Sequence, residues 1–220
     1  MKSESQTRPL LDCLYHRFLE TEDSAAFIRE VAQRYLLSSL VRLTECGGAI
    51  SRRAGALAIS FLGDFTLNHV LGKALHDGDR CVRVLADNGI RNLWQRAGNT
   101  RQQQALGILV RLNTAGLYTD CVPAATEFIE ESPWIAEGWN QRAIAHFALE
   151  KFEDSANDCH QSLELNPYHF GAAIGMAHCY LEMDDPFAAL ECFRRALKLN
   201  PSLEEVRVQI DYLQRTLEGK

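Results

Sequence analysis

The chain has 220 residues, 46% apolar and 24% charged, with a formal net charge of −6. That is enough chain to bury a substantial core, and the acidic balance offers no basic footprint for a phosphate backbone, which argues against nucleic acid as a partner. Seven cysteines, odd in number, widely spaced and without a CxxC pair, argue against a disulfide framework or zinc site and fit a reduced, cytoplasmic protein. In chain order, the polar residues 1–8 read as a disordered tail. No apolar h-region opens the chain, so no secretory leader is expected, and no run reaches the roughly 18 to 20 apolar residues that span a bilayer. Residues 9–20 read as a leading helix or cap.

A weak internal repeat runs through 20–97, with a period of about 31 residues, inside the range of stacked helical repeats. Ala54 aligns with Leu85, Gly55 with Ala86, Ala58 with Gly89, Ile59 with Ile90 and Leu62 with Leu93, and one unit earlier Phe27, Ile28 and Val31 fall opposite Ala58, Ile59 and Leu62. Between these lie shorter helices, in which Leu36, Leu40 and Leu43 answer Leu67, Leu71 and Ala74. The segments RRAGALAISFLGD and LGKALHDGDRCVRVLA resemble short HEAT repeats of the phycobilisome-lyase type, with Asp79 and Arg83 at the loop-to-helix position. On that resemblance residues 9–98 are HEAT-like helical repeats. Ala97–Thr100 is too short for a flexible linker, so one continuous solenoid is expected.

The second half is organised by three evenly spaced prolines, at 133, 167 and 201, each closing a similar phrase: EFIEESP, QSLELNP and RALKLNP. Their spacing of about 34 residues is the tetratricopeptide period. Laid out as 102–135, 136–169 and 170–203, equivalent positions agree: Leu109/Ala143/Ala177 in the first helix, and Cys121/Ser155/Ala189, Ala125/Cys159/Phe193 and Ile129/Leu163/Leu197 in the second. Small residues stand where two helices cross closely and larger ones fill the space beside them. Residues 102–203 therefore resemble three tetratricopeptide repeats (TPRs). Arg142 and His146 depart from that pattern, standing where a larger apolar residue and a tyrosine are usual, and Pro123 is tolerable only near a first helical turn. Residues 203–217 form an amphipathic capping helix, with Ser202 and Glu205 in capping-box spacing and Val206, Ile210, Leu213 and Leu217 in one stripe. The expected fold is all-α: a right-handed α-solenoid of stacked helical hairpins, HEAT-like and then, over 99–220, TPR with a C-terminal cap.

Motifs for chemistry are missing. Gly72-Lys73 lacks the rest of a phosphate-binding loop, and no HExxH, nucleophile elbow or kinase signature appears. Asp77 and Asp79 read as cap and loop residues. Cys159-His160 and His178-Cys179 are neighbours on a helix, about 100° apart, so neither pair shares a site. His146 reads as a hydrogen-bonded interior residue, Trp134 and Trp139 as packing at a repeat boundary, and Trp94 as a plug at the junction. No enzymatic activity, metal or cofactor is expected.

The TPR resemblance implies that the first helices of the repeats line a concave surface. By register its residues include Val110 and Asn113 in the first repeat, Asn140, Gln141, Ile144 and Phe147 in the second, and Ile174, His178 and Leu181 in the third. The set carries no Lys or Arg, so the basic clamp with which some TPRs grip a chaperone's C-terminal carboxylate is missing. A neutral, partly apolar groove suits a helix or extended peptide of a partner protein, with Val110, Ile144, Phe147, Ile174 and Leu181 giving contact area and Asn113, Asn140 and Gln141 fixing register. The expected role is a protein-interaction scaffold or adaptor in a cytoplasmic, bacterial complex. The alternatives are an accessory, chaperone-like factor for an enzyme or pigment-attachment system, and a structural solenoid that self-assembles into homo-oligomers.

Overall fold

The computed structural model describes residues 9–219; the expected disordered tail, 1–8, lies outside them. Thirteen α-helices and one 3₁₀ turn are found among the described residues, and no strand. The chain divides into two compact units, Met1–Leu93 and Trp94–Lys220, with the division inside a helix.

The first unit contains α1 (Leu10–Thr21), α2 (Ser24–Arg34), α3 (Leu37–Cys46), α4 (Ala49–Leu62), a 3₁₀ turn (Phe65–Leu67), α5 (Asn68–Ala74) and most of α6 (Arg80–Gln95). Its centre is α4, whose small residues Ala54, Ala56 and Ala58 are fully buried and let α1, α2 and α3 approach closely. The periodic positions Phe27, Val31, Ile59, Ile90 and Leu93 are all core. Leu36 is a correction: it is largely exposed, because it lies at the N-cap of α3 rather than on its packed face.

Two ion pairs tie α4 to the loop before α6. Arg52 grips Asp77 with two bonds of 2.7 and 2.9 Å, and Arg53 grips Asp79 at 2.5–3.1 Å. Asp79 also caps α6, accepting the N–H groups of Cys81 and Val82. The Arg53 guanidinium, helped by those two N–H donors, holds the Asp79 carboxyl at about 2. A depressed carboxyl contributes stability that is complete above the ordinary value of about 3.9 and lost as pH falls towards 2. Asp79→Asn, which keeps the capping oxygen, should lower the urea midpoint at pH 6, with the gap from the parent closing by pH 2. A gap of equal size at both pH values would show that the charge contributes nothing.

The second unit, beginning at Trp94, contains α7 (Thr100–Thr114), α8 (Tyr118–Glu131), α9 (Ala136–Ala148), α10 (Phe152–Leu165), α11 (Phe170–Glu182), α12 (Pro186–Leu199) and α13 (Glu204–Leu217). These are the three expected hairpins, α7–α8, α9–α10 and α11–α12, and each stacks on the next through α8–α9 and α10–α11 contacts. The unit is thus an α-solenoid, and α13 closes its last open face by burying Val206, Ile210 and Leu213 against α12. Ala125, Ala143, Ala173, Ala177, Ala189 and Ala196 are buried where helices cross. Gly138 serves the same end: a β-carbon there would stand 2.6 Å from the Phe128 ring.

The turn inside each hairpin repeats as strictly as the prolines. Gly116, Glu150 and Asp184, each one repeat on from the last, all adopt a left-handed backbone, with φ of 74°, 60° and 59°. A side chain costs roughly 1–2 kcal/mol there, partly offset by the extra unfolded-state freedom of glycine. Glu150→Gly and Asp184→Gly should each stabilise the protein by about 0.5–1 kcal/mol in chemical denaturation. A loss of stability in both would mean that the native side chains hold the turns.

Three local readings need correction. Helix α13 begins at Glu204 with Leu203 at its cap and no side-chain cap bond, so Ser202 and Glu205 form no capping box. The turn before it is built instead on buried Asn200, whose Oδ1 accepts the Ser202 N–H, as Asn166 Oδ1 accepts that of Tyr168 one repeat earlier. Trp134 is 61% exposed rather than packed, while Trp139 is half-buried and donates its indole N–H to the Pro133 carbonyl. Pro123 lies in the second turn of α8, not the first; the carbonyl it leaves without a helical donor belongs to Thr119, which is exposed to solvent.

Candidate peptide-binding surface on the first helices

The first helices form one layer, α7 against α9 and α9 against α11. Along it Ile144 is 42% exposed, and Val110, Phe147, Ile174, His178 and Leu181 are half-buried. Phe147 meets Phe152 and His178 edge-on, at 5.5 and 6.4 Å between ring centres, and His178 meets Phe193 at 5.3 Å. Burial holds the His178 imidazole below its ordinary pKa, only partly countered by Glu182, so His178 is a neutral member of this aromatic cluster.

The amides behave differently from a free row of hydrogen-bonding groups. Gln141 is buried, donates to Glu137 at 2.6 Å and accepts from Asn113 at 2.8 Å, and Asn140 donates to the same carboxylate at 3.3 Å. The second oxygen of Glu137 takes His169 Nε2–H at 3.1 Å. His169 Nδ1 accepts the Ala172 N–H, which identifies the tautomer and caps α11. The imidazole stacks on Trp94 at 4.1 Å, and the indole also meets Phe170. Trp94 therefore packs on the start of α11, and Asn113 and Gln141 fasten α7 to α9. Asn113 Oδ1 is enclosed and, among the described residues, lacks a hydrogen-bond partner.

Sequence reasoning placed Asn140 and Gln141 on this layer but missed that His169, with Trp94 stacked on it, joins their network. A signal existed: the other repeats carry Ile135 and Leu203 where His169 stands, and a polar residue at an apolar position asks for a partner.

The departures at Arg142 and His146 have one cause. Asp158, buried on α10, accepts two bonds from Arg142, at 2.9 and 2.7 Å, and lies 3.1 Å from His146 Nδ1 without an aligned hydrogen bond. Arg142 also reaches Thr126 on α8 at 3.1 Å and covers the Trp139 ring at 5.1 Å. A polar clamp thus fills the space that apolar side chains would take.

Burial pushes the thiols of Cys121, Cys159 and Cys179 up, and that of Cys192 to about 11, so none is a thiolate at neutral pH. Among the described residues no three His, Cys, Asp or Glu side chains are placed to hold a metal, and no helix is long and apolar enough to cross a membrane.

Stacked two-helix repeats, with the first helices of successive repeats packed in one layer, define the class: a helical-repeat array. Residues 136–169 and 171–203 match the tetratricopeptide repeat family, and these segments are TPRs. A TPR repeat-containing protein of Rhizobium etli is 28% identical over 151 residues, 67% of this chain and 71% of that one. The SGT1 homolog of Bos taurus is 32% identical over 94 residues, 43% of this chain and only 28% of that protein. Among solved structures, the first TPR of Spaghetti (RPAP3) bound to the HSP90 peptide SRMEEVD superposes with a TM-score of 0.52 at 19% identity, covering 55% of this chain and 96% of the other. The MamA protein superposes at 0.51 with 17% identity, covering 70% and 82%.

Proposed function

We propose that the second unit is a protein-interaction module that takes an apolar segment of a partner, a helix or extended peptide, on the layer formed by α7, α9 and α11. The observation that carries this is Ile144, 42% exposed and flanked by half-buried Phe147, Ile174 and Leu181, with no Lys or Arg at any of the groove positions. Such a surface rewards side-chain burial and gives an acidic peptide no counter-charge. The ligand class therefore differs from an acidic chaperone tail such as the SRMEEVD bound to one structural relative. The amides Asn113, Asn140 and Gln141 are spent within the array, Asn113 and Gln141 on holding α7 to α9, so the ligand meets the apolar side chains. The free thiols exposed at Cys13, Cys46 and Cys81 suit a reducing compartment, so the cytoplasm is where this protein works.

The test is affinity purification with mass spectrometry from the native host, comparing the parent with Ile144→Glu and with Phe147→Ala/Ile174→Ala. Ile144→Glu changes an exposed residue, so helicity by circular dichroism should stay at the parent level while capture of the specific partner falls at least tenfold. Undiminished recovery of the same partner by both folded variants would mean that it binds elsewhere.

A further inference from the structure

The first repeat has a second recess, on the other side of α7 from the surface just described. Ala105, Leu109, Ala124 and Phe128 line a pocket of about 220 Å³ between α7 and α8, with Ile108, 48% exposed, beside them. Ala105 and Ile108 each lie five residues before Val110 and Asn113, roughly 140° round the helix at 100° per residue. The recess and the proposed groove are therefore separate.

The other repeats show what belongs there. One repeat on, Ala105, Ile108 and Ala124 become Trp139, Arg142 and Asp158. There the chain fills the place itself: the indole is tethered to Pro133, the Arg142 guanidinium lies over its face, and Asp158 pairs that cation. In the third repeat Ala173 is fully buried, and Met176, Leu197 and Leu199 pack into the surrounding core. The first repeat has neither device. Its floor is apolar, and its rim carries two carboxylates, Glu127 and Glu131, against one cation, Arg101, which already pairs with Glu131 at 3.2 Å.

We infer that this recess is a docking site for an aromatic side chain of a partner protein with a lysine or arginine beside it. The partner supplies from outside what Trp139 and Arg142 supply from within. The ring removes apolar surface of Ala105, Ile108 and Ala124 from water, and the adjacent cation answers the acidic rim. A second copy of this chain offers exposed Trp134 as a ring, but Glu130 and Glu131 come with it and meet the same carboxylates, so charge favours a different partner.

The experiment follows the Ile108 δ1-methyl resonance of the full chain during titration with blocked tripeptides. Lys-Trp-Lys should move it, Glu-Trp-Glu should bind at least fivefold more weakly, and Lys-Ala-Lys should leave it unmoved. Ala105→Trp, which copies the second repeat, should abolish the shift, and Ala124→Leu, which narrows the pocket from the opposite wall, does so if that variant misfolds. Glu127→Gln/Glu131→Gln should erase the preference for the basic peptide. An unmoved methyl with Lys-Trp-Lys, equal binding of Glu-Trp-Glu, or a shift that survives both pocket-filling variants overturns the assignment. So does an Ile108 shift on simple dilution that Trp134→Ser removes, since a second copy would then be the occupant. None of these results bears on capture by Ile144 and Phe147.

Discussion

Asp158→Ala should destabilise the second unit by about 3–5 kcal/mol, the cost of breaking a buried pair and leaving its cation uncompensated. The carboxylate is 5% exposed and Arg142 17%, so water cannot rescue the guanidinium once the acid is gone. Arg142 also bridges to Thr126, so the loss should spread from the α9–α10 hairpin to its contact with α8. Urea denaturation of parent and variant reads the effect directly. The triple variant Arg142→Leu/His146→Tyr/Asp158→Ala should recover most of it, because an apolar set of similar volume dispenses with the charges altogether. Recovery would show that the clamp substitutes for packing; a triple variant as unstable as the single one would show that the site cannot pack the apolar set.

Glu137→Ala is the second large effect, at about 3 kcal/mol, the sum expected for a shared buried acceptor. The carboxylate serves His169, Gln141 and Asn140, and a buried donor left without one costs about 1–3 kcal/mol. His169 and Gln141 are buried, while Asn140 reaches water and should lose little. Because His169 stacks on Trp94, the variant should also alter tryptophan emission before unfolding, a change that a Trp94→Phe background removes. Glu137→Gln, which keeps one acceptor oxygen, should fall between parent and Ala. A Glu137→Ala protein within about 0.5 kcal/mol of the parent, the range of an inconsequential surface change, would mean that water takes the place of the carboxylate.

Much of this architecture is legible in one dimension because repeat packing is periodic. The prolines at 133, 167 and 201 and the small residues at Ala143, Ala177 and Ala189 announce a helix pair that recurs at a constant interval, and each pair can bury its apolar face only on the next. The left-handed turns at 116, 150 and 184 obey the same period, but Glu150 and Asp184 hide it, since only glycine advertises that backbone.

The candidate surface was legible by position and not by partner. Register placed Ile144, Phe147 and Ile174 on the first-helix layer, and exposure there follows from helical geometry. It could not tell that Gln141 is committed to Glu137 and Asn113, because hydrogen bonds between α7 and α9 join residues far apart in sequence whose side chains choose among several rotamers. Nor could it tell that Arg142 and His146, odd by pattern, converge on Asp158.

What the amino-acid order determined by itself is the class of object: helix pairs, their number in the second half, the terminal cap and the absence of a basic clamp. Each follows from local periodicity and residue type. Only the tertiary structure decided which polar groups are spent inside the array, that Trp94 lies on His169, and that the first repeat leaves open a recess its neighbour fills. Those outcomes depend on which side chains meet across helices, and such meetings are set by competition among buried partners that no local pattern encodes.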